Sequence, residues 1–95
     1  MNNMTKQQKE KYIIEQLKYF GKVREINGYV ENSIVINIIS TALWNKNGAN
    51  KHGIIILNDD ELKTVNKVYK GMLDKGIIIK SKKGTCTKLV KETYY

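Results

Sequence analysis

At 95 residues, with 17 basic against 9 acidic side chains and a formal charge of +8 at neutral pH, the chain has the length of one small domain and the charge of a protein with a polyanionic partner. Its apolar runs, such as Ile54–Leu57, are far too short to span a bilayer, and the opening MNNMTKQQKEK lacks the apolar stretch of a secretory signal. Cys86 is the single cysteine and excludes an internal disulfide, so one cytoplasmic domain covering residues 1–95 is expected.

Residues 5–20 predict a helix. Thr5 and Gln8 have the spacing of a capping box, and Ile13, Leu17 and Phe20 recur at helical intervals toward Gly21, the expected stop. The next stretch, GKVREINGYVEN (21–32), is open to two readings. Asn27-Gly28 is a hairpin signal, but a short helix ending at Gly28 or an irregular turn is preferred. Residues 33–45 are apolar nearly all round, with Ser33, Asn37, Ser40 and Thr41 as a narrow polar stripe, and predict a buried helix. A helix of this kind in a small domain often has a second subunit on one side, so Ile34, Ile38 and Trp44 are candidate dimer contacts, with Tyr94 from the tail. A polar loop over 45–53 and a short buried strand over 54–57 follow.

Residues 59–75 predict the most informative helix. Asn58 caps it, Glu61 stands at its third position, and Asp59 and Asp60 suit the positive end of the dipole. Leu62, Val65, Val68, Tyr69, Met72 and Leu73 gather on one side, with Lys63, Lys67 and Lys70 opposite and Asn66 near them. Gly76 ends the helix. A strand over 77–80, a loop over 81–85 and a strand over 86–90 follow. Alternation leaves open whether Thr85, Thr87 and Leu89 or Cys86, Lys88 and Val90 share a face.

Charge is distributed unevenly. Between Lys63 and Lys91 there are nine lysines and one acid, Asp74. A helix fits the major groove of duplex DNA, and a hairpin beside it reaches neighbouring phosphates. Lys63, Lys67 and Lys70 are the expected helix contacts, Thr64 and Asn66 the candidate base readers, and Lys80, Lys82 and Lys83 the hairpin contacts. The acids at 59–61 would repel phosphate, so the start of the helix should not face the DNA backbone.

The segment NKVYKGMLDKGIIIKSKKGTCTKLV (66–90) resembles the recognition helix and wing of winged-helix DNA-binding proteins. Leu73 to Ile77 match the glycine-terminated helix end that leads into an apolar strand, and Ser81 to Thr85 match the basic wing. The fold implied is α+β, a small winged helix-turn-helix domain with three main helices and a two- or three-stranded wing sheet. Within that superfamily the chain is similar to the TubR family, the centromere-binding components of plasmid and phage partition systems driven by a tubulin-like GTPase. That resemblance implies a homodimer on tandem double-stranded DNA sites, recruitment of the filament-forming GTPase, repression of its own operon, and a plasmid- or nucleoid-associated location in a bacterial cytoplasm. The expected strand at 54–57 departs from the family order, in which a strand precedes the helix pair.

Other chemistry has little support. His52 and Cys86 lack partners at metal-ligand spacing, and no phosphate-binding glycine loop or nucleophile elbow occurs, so neither an enzyme nor a cofactor is expected. The competing readings are a stand-alone winged-helix repressor, a basic RNA-binding domain, and a protein-interaction module. RNA recognition favours exposed aromatics on a sheet, and the strands expected at 77–80 and 86–90 carry none.

Overall fold

The computed structural model describes residues 5–24 and 26–90. The first helix, α1 (Lys6–Val23), opens on the expected capping box: the Gln8 amide donates to Thr5 Oγ1 at 3.1 Å, and the Thr5 amide to Gln8 Oε1 at 2.9 Å. It runs past Gly21, which is therefore internal and not the stop. A side chain there would approach the Gly28 carbonyl oxygen to 3.0 Å, so the bare glycine lets the following turn fold back on the helix.

At 21–32 neither the short helix nor the hairpin forms, and the turn alternative is what the structure has. Asn27 (φ 56°) and Gly28 (φ 86°) take the left-handed pair of conformations that Asn-Gly favours in hairpin turns. The Tyr29 amide closes the turn on the Ile26 carbonyl at 3.0 Å. This turn joins a helix to a strand, because the strand it feeds, β1 (Tyr29–Glu31), finds its partner near the other end of the chain.

The buried helix α2 (Asn32–Trp44) follows at once and ends at Asn45, which is left-handed at φ 56°. Its polar stripe holds down the next loop. Asn37 Oδ1 accepts from the Ala49 amide at 2.6 Å, and Ser40 Oγ donates to the Lys46 carbonyl at 2.9 Å. Loop 45–58 doubles back as a narrow ribbon in which Ala49 bridges Ile55. The strand expected at 54–57 is thus corrected to one arm of this ribbon. Ile54 and Ile56 are each 60% exposed, and only Leu57 packs against the core.

Asn58 and Glu61 cap α3 (Asp59–Asp74) reciprocally, and Gly76, at φ 73°, follows its end. The hairpin β2 (Ile78–Lys80) and β3 (Cys86–Leu89) completes a three-stranded antiparallel sheet in the order β1-β3-β2. Its registers place Val30 opposite Thr87 and Ile78 opposite Leu89. The protein is therefore a small α+β fold of three helices and one sheet. Among the described residues no helix is long and apolar enough to cross a membrane.

One core joins all the layers: Ile13 and Leu17 from α1, Val35 and Ile39 from α2, Val65 and Met72 from α3, and Val30, Ile77 and Ile78 from the sheet side. Ile38 belongs to it at 4% exposure, so it has little surface to offer a second subunit. Ile34 and Trp44 are partly buried against the same core, and Tyr94 lies outside the described residues.

Two outcomes follow from this packing. A methyl group at Gly48 would meet Ile36 Cγ2 and Ser40 Oγ at 2.9 Å and Leu57 Cδ1 at 3.0 Å. Gly48→Ala should therefore cost about 1–3 kcal/mol by overpacking, measured as a lower urea midpoint at unchanged slope. The second concerns pH. Hydrogen bonding to Arg24 holds the Glu31 carboxyl below its ordinary range, and the Lys46 ammonium, then the Asn58 amide, does the same for Glu61. Both groups bind protons less readily when folded, so their contribution is complete above the ordinary glutamate range, about 4.3, and is lost as pH falls through the lower folded values. Thermal unfolding across that acid window should show a smaller loss of Tm in Glu61→Gln than in the wild type.

Candidate nucleic-acid interface

A 16-residue helix presents a lysine to the same side every third or fourth position, and α3 does so with Lys63, Lys67 and Lys70. All three are exposed, while Val65 and Met72 on the far side are buried. Asp74 falls one turn beyond Lys70 on the same side and tempers the charge at that end. Thr64 is exposed, but its hydroxyl donates to the Asp60 carbonyl at 3.0 Å, which leaves it as an acceptor for an outside group. Asn66 is exposed at the edge of a small crevice between α2 and α3 that also involves Asn32 and Tyr69.

The hairpin loop is a tight four-residue turn. The Gly84 amide donates to the Ser81 carbonyl at 2.9 Å and the Ser81 amide to the Cys86 carbonyl at 2.9 Å, with Gly84 itself left-handed at φ 73°. Ser81 Oγ also accepts from the Cys86 amide at 3.1 Å. The tip is thus a bonded turn that exposes Lys82 and Lys83. Lys80, at its base, leans toward α3, with its Nζ 5.6 Å from the centre of the Tyr69 ring. Helix and hairpin therefore meet at Tyr69.

A part-buried polar relay centred on Thr87 fixes that meeting point. The Tyr69 hydroxyl lies 2.6 Å from Thr87 Oγ1, and Thr87 Oγ1 donates to Asn32 Oδ1 at 3.0 Å. With the threonine proton committed to Asn32, the tyrosine is the donor of the first bond. Asn32 then donates its side-chain amide to the Gly84 carbonyl at 2.7 Å and its backbone amide to the Thr85 carbonyl at 3.1 Å. One chain of bonds thus runs from α3 through the centre of the sheet to the start of α2 and back to the lysine turn. Thr87 is fully buried, so water cannot substitute for its partners.

Sequence reasoning missed Thr87 and Asn32. The only available signal was the alternation along 85–90, which left two faces open; the sheet settles it by burying Thr87 and turning Lys88 outward, opposite Tyr29. Strand β1, paired to β3, also brings one aromatic, Tyr29, to the outer sheet face. Lys88 Nζ lies 5.7 Å from the Tyr29 ring centre and so occupies its surroundings.

Other charges are tied up in structure. Lys75 pairs with Glu10 at 3.1 Å and braces α3 against α1, while Lys46 pairs with Glu61. The acid at the third position of α3 is therefore neutralised locally, leaving Asp59 and Asp60 exposed at the helix start. Lys67 and Lys70 border a groove of about 460 Å³ between α1 and α3, floored by Ile13, Val68 and Met72. Among the described residues no group of three His, Cys, Asp or Glu side chains could hold a metal ion.

Comparison with known proteins adds no relative: no family model matches the sequence, and no curated protein or solved structure shows significant similarity to it.

Thr87→Val removes one hydroxyl at nearly constant volume and takes a partner from two part-buried groups, the Tyr69 hydroxyl and Asn32 Oδ1. The expected cost is about 1–3 kcal/mol, which for a domain of this size lowers Tm by roughly 5–15 °C. Tyr69→Phe with Thr87→Val should cost less than the sum of the two single changes, a coupling that a double-mutant cycle measures.

Proposed function

We propose that the chain is a winged-helix protein that binds double-stranded DNA as a homodimer, with α3 as its recognition helix and the β2–β3 turn as its wing. The order helix, strand, helix, helix, strand, strand supports this reading. So does the sheet order β1-β3-β2, which places the wing strands beside the strand that precedes the helix pair. With β1 at Tyr29–Glu31, the departure raised by a strand at 54–57 disappears. The observation that carries the proposal is the contact of the basic turn with the basic helix at Tyr69, where Lys80 covers the ring and the relay to Thr87 holds the two elements in one relative position.

On a duplex, α3 enters the major groove, about 12 Å wide, and Lys63, Lys67 and Lys70 neutralise the phosphates along its walls. Asn66 and Thr64 are the side chains placed to read base edges. Lys80, Lys82 and Lys83 follow the adjoining backbone. Lysine supplies point charge without the planar fork of arginine, so most of the affinity is electrostatic and salt-sensitive. The exposed Asp59 and Asp60 keep the start of α3 away from the phosphate ridge.

The biological role proposed is that of a partition adaptor that binds repeated centromere sites, recruits a tubulin-like GTPase filament and represses its own operon. The runner-up is a stand-alone repressor acting at one palindrome. The resemblance of residues 66–90 to the winged-helix motif, and of the chain to the TubR family, supports the first. Sequencing the DNA selected by the protein separates them, since tandem repeats favour partition and a lone palindrome favours repression. The RNA-binding alternative gains little from Tyr29, whose ring is already attended by Lys88.

Lys67→Glu combined with Lys82→Glu should abolish duplex binding in a fluorescence-anisotropy titration while leaving Tm nearly unchanged, since both residues are exposed. For the wild type, six lysine–phosphate contacts set a slope of log K against log salt of about −5. A double variant that still binds duplex at moderate salt, or a wild-type affinity indifferent to salt, would overturn the assignment of this surface.

A further inference from the structure

Among the described residues the most exposed run of apolar side chains lies outside the proposed DNA surface. Ile54 and Ile56 are each 60% exposed and Ile55 is 44% exposed, three consecutive isoleucines on the second arm of the ribbon between α2 and α3. Natural sheet edges are usually protected by a charge, a proline or a bulge. None of these interrupts this arm.

The backbone pattern of the arm is specific. The Ile56 amide donates to the Gly48 carbonyl at 2.9 Å, and the Ile54 carbonyl accepts from the Asn50 amide at 2.9 Å, so both residues turn their main-chain groups into the ribbon. The Ile54 amide is also used, by Asn50 Oδ1 at 3.1 Å. Ile55 alternates with them. It forms the Ala49 bridge as the pair flanked by these bonds, and its own amide and carbonyl face away from the ribbon without a partner among the described residues. An outward donor and acceptor on one residue are what a narrow antiparallel pair requires.

We propose that this arm pairs with the same arm of a second copy of the chain, antiparallel, about a two-fold axis through Ile55. The two Ile55 residues exchange both main-chain hydrogen bonds. Ile54 of each copy then faces Ile56 of the other on the outer side of the ribbon, and the two Ile55 side chains flank the axis on the inner side. The run of three identical residues is symmetric about Ile55, which suits an isologous contact. Charge favours the same occupant. Reversing one arm on the other carries the exposed Lys51 at one ribbon tip toward the exposed Asp59 and Asp60 at the start of the other copy's α3. The contact leaves Lys63, Lys67, Lys70, Lys82 and Lys83 outside the paired arms. This inference deepens the homodimer part of the proposed function and rests on it.

The test is made without DNA, by sedimentation equilibrium of the full chain at micromolar concentration. Wild type should dimerise, and Ile54→Lys with Ile56→Lys should weaken the dimer at least about tenfold. Both side chains are exposed, so an unchanged circular dichroism melt is expected for the variant. A second variant keeps the test independent of folding losses: Ile55→Cys in a Cys86→Ser background should give a disulfide-linked dimer on mild oxidation. A dimer that persists in the double-lysine variant, or no cross-link at position 55, overturns the pairing and leaves the homodimer reading standing on another surface. A wild-type chain that is monomeric overturns both, and its affinity for duplex, measured separately, then bears on DNA binding alone.

Discussion

The arrangement of the protein depends on one hydrogen-bonded line, from Tyr69 through Thr87 to Asn32. Hydrophobic burial gathers the three helices and the sheet, but it is non-directional and does not by itself fix how a helix is turned against a strand. A buried hydroxyl between two fixed partners does, because each misalignment leaves a polar group unpaired in a dry interior. The line reaches the lysine turn through the Asn32 contact with Gly84, so the surface charge of the hairpin is referenced to the core and not only to its own strands. Lys80 resting on Tyr69 extends the arrangement to the surface.

Electrostatics divides the molecule in a way that the total of +8 conceals. Several lysines are consumed internally: Lys75 on Glu10, Lys46 on Glu61, Lys88 beside Tyr29. Those left exposed on α3 and at the β2–β3 turn have no carboxylate partner among the described residues. An exposed ion pair contributes little to stability, so this partition of charge matters chiefly for what the surface can attract. The acids at the start of α3 serve the helix dipole and the cap.

Helices were legible in the sequence because their signals are local. Thr5 with Gln8 and Asn58 with Glu61 cap where their spacing says they should, and Gly76 stops α3 in a left-handed conformation. The strands were less so, because pairing joins residues distant in sequence. The two copies of Gly-Ile-Ile-Ile make the point. Both begin with a left-handed glycine, yet Ile77 and Ile78 are buried at 1% while Ile54 and Ile56 stand in solvent. The difference lies in what surrounds them: β3 and the core await one run, whereas the other pairs only with a ribbon arm that Asn37 and Ser40 hold, at Ala49 and Lys46, on the outside of α2. Three letters cannot encode that. Nor did the pattern at 21–32 show that the strand after Asn27-Gly28 would pair more than fifty residues away. The lysines of the candidate site were identifiable as charges, but the groups that place them, Asn32 and Thr87, look like ordinary polar residues until the sheet is assembled.

That remote pairing bears on how the chain comes to be folded. Val30 is sealed by contact with Thr87, at the far end of the sequence, so the central strand arrives last while its neighbour β1 has been present since early in translation. Closing so large a loop must precede the contacts that reward it, which slows folding relative to an all-helical protein of this size. On the ribosome, α1 and α2 would wait with their apolar faces incompletely covered until β3 emerges. Completion of the sheet, and with it the fixing of the lysine-bearing turn, is therefore a late event in the life of each newly made molecule.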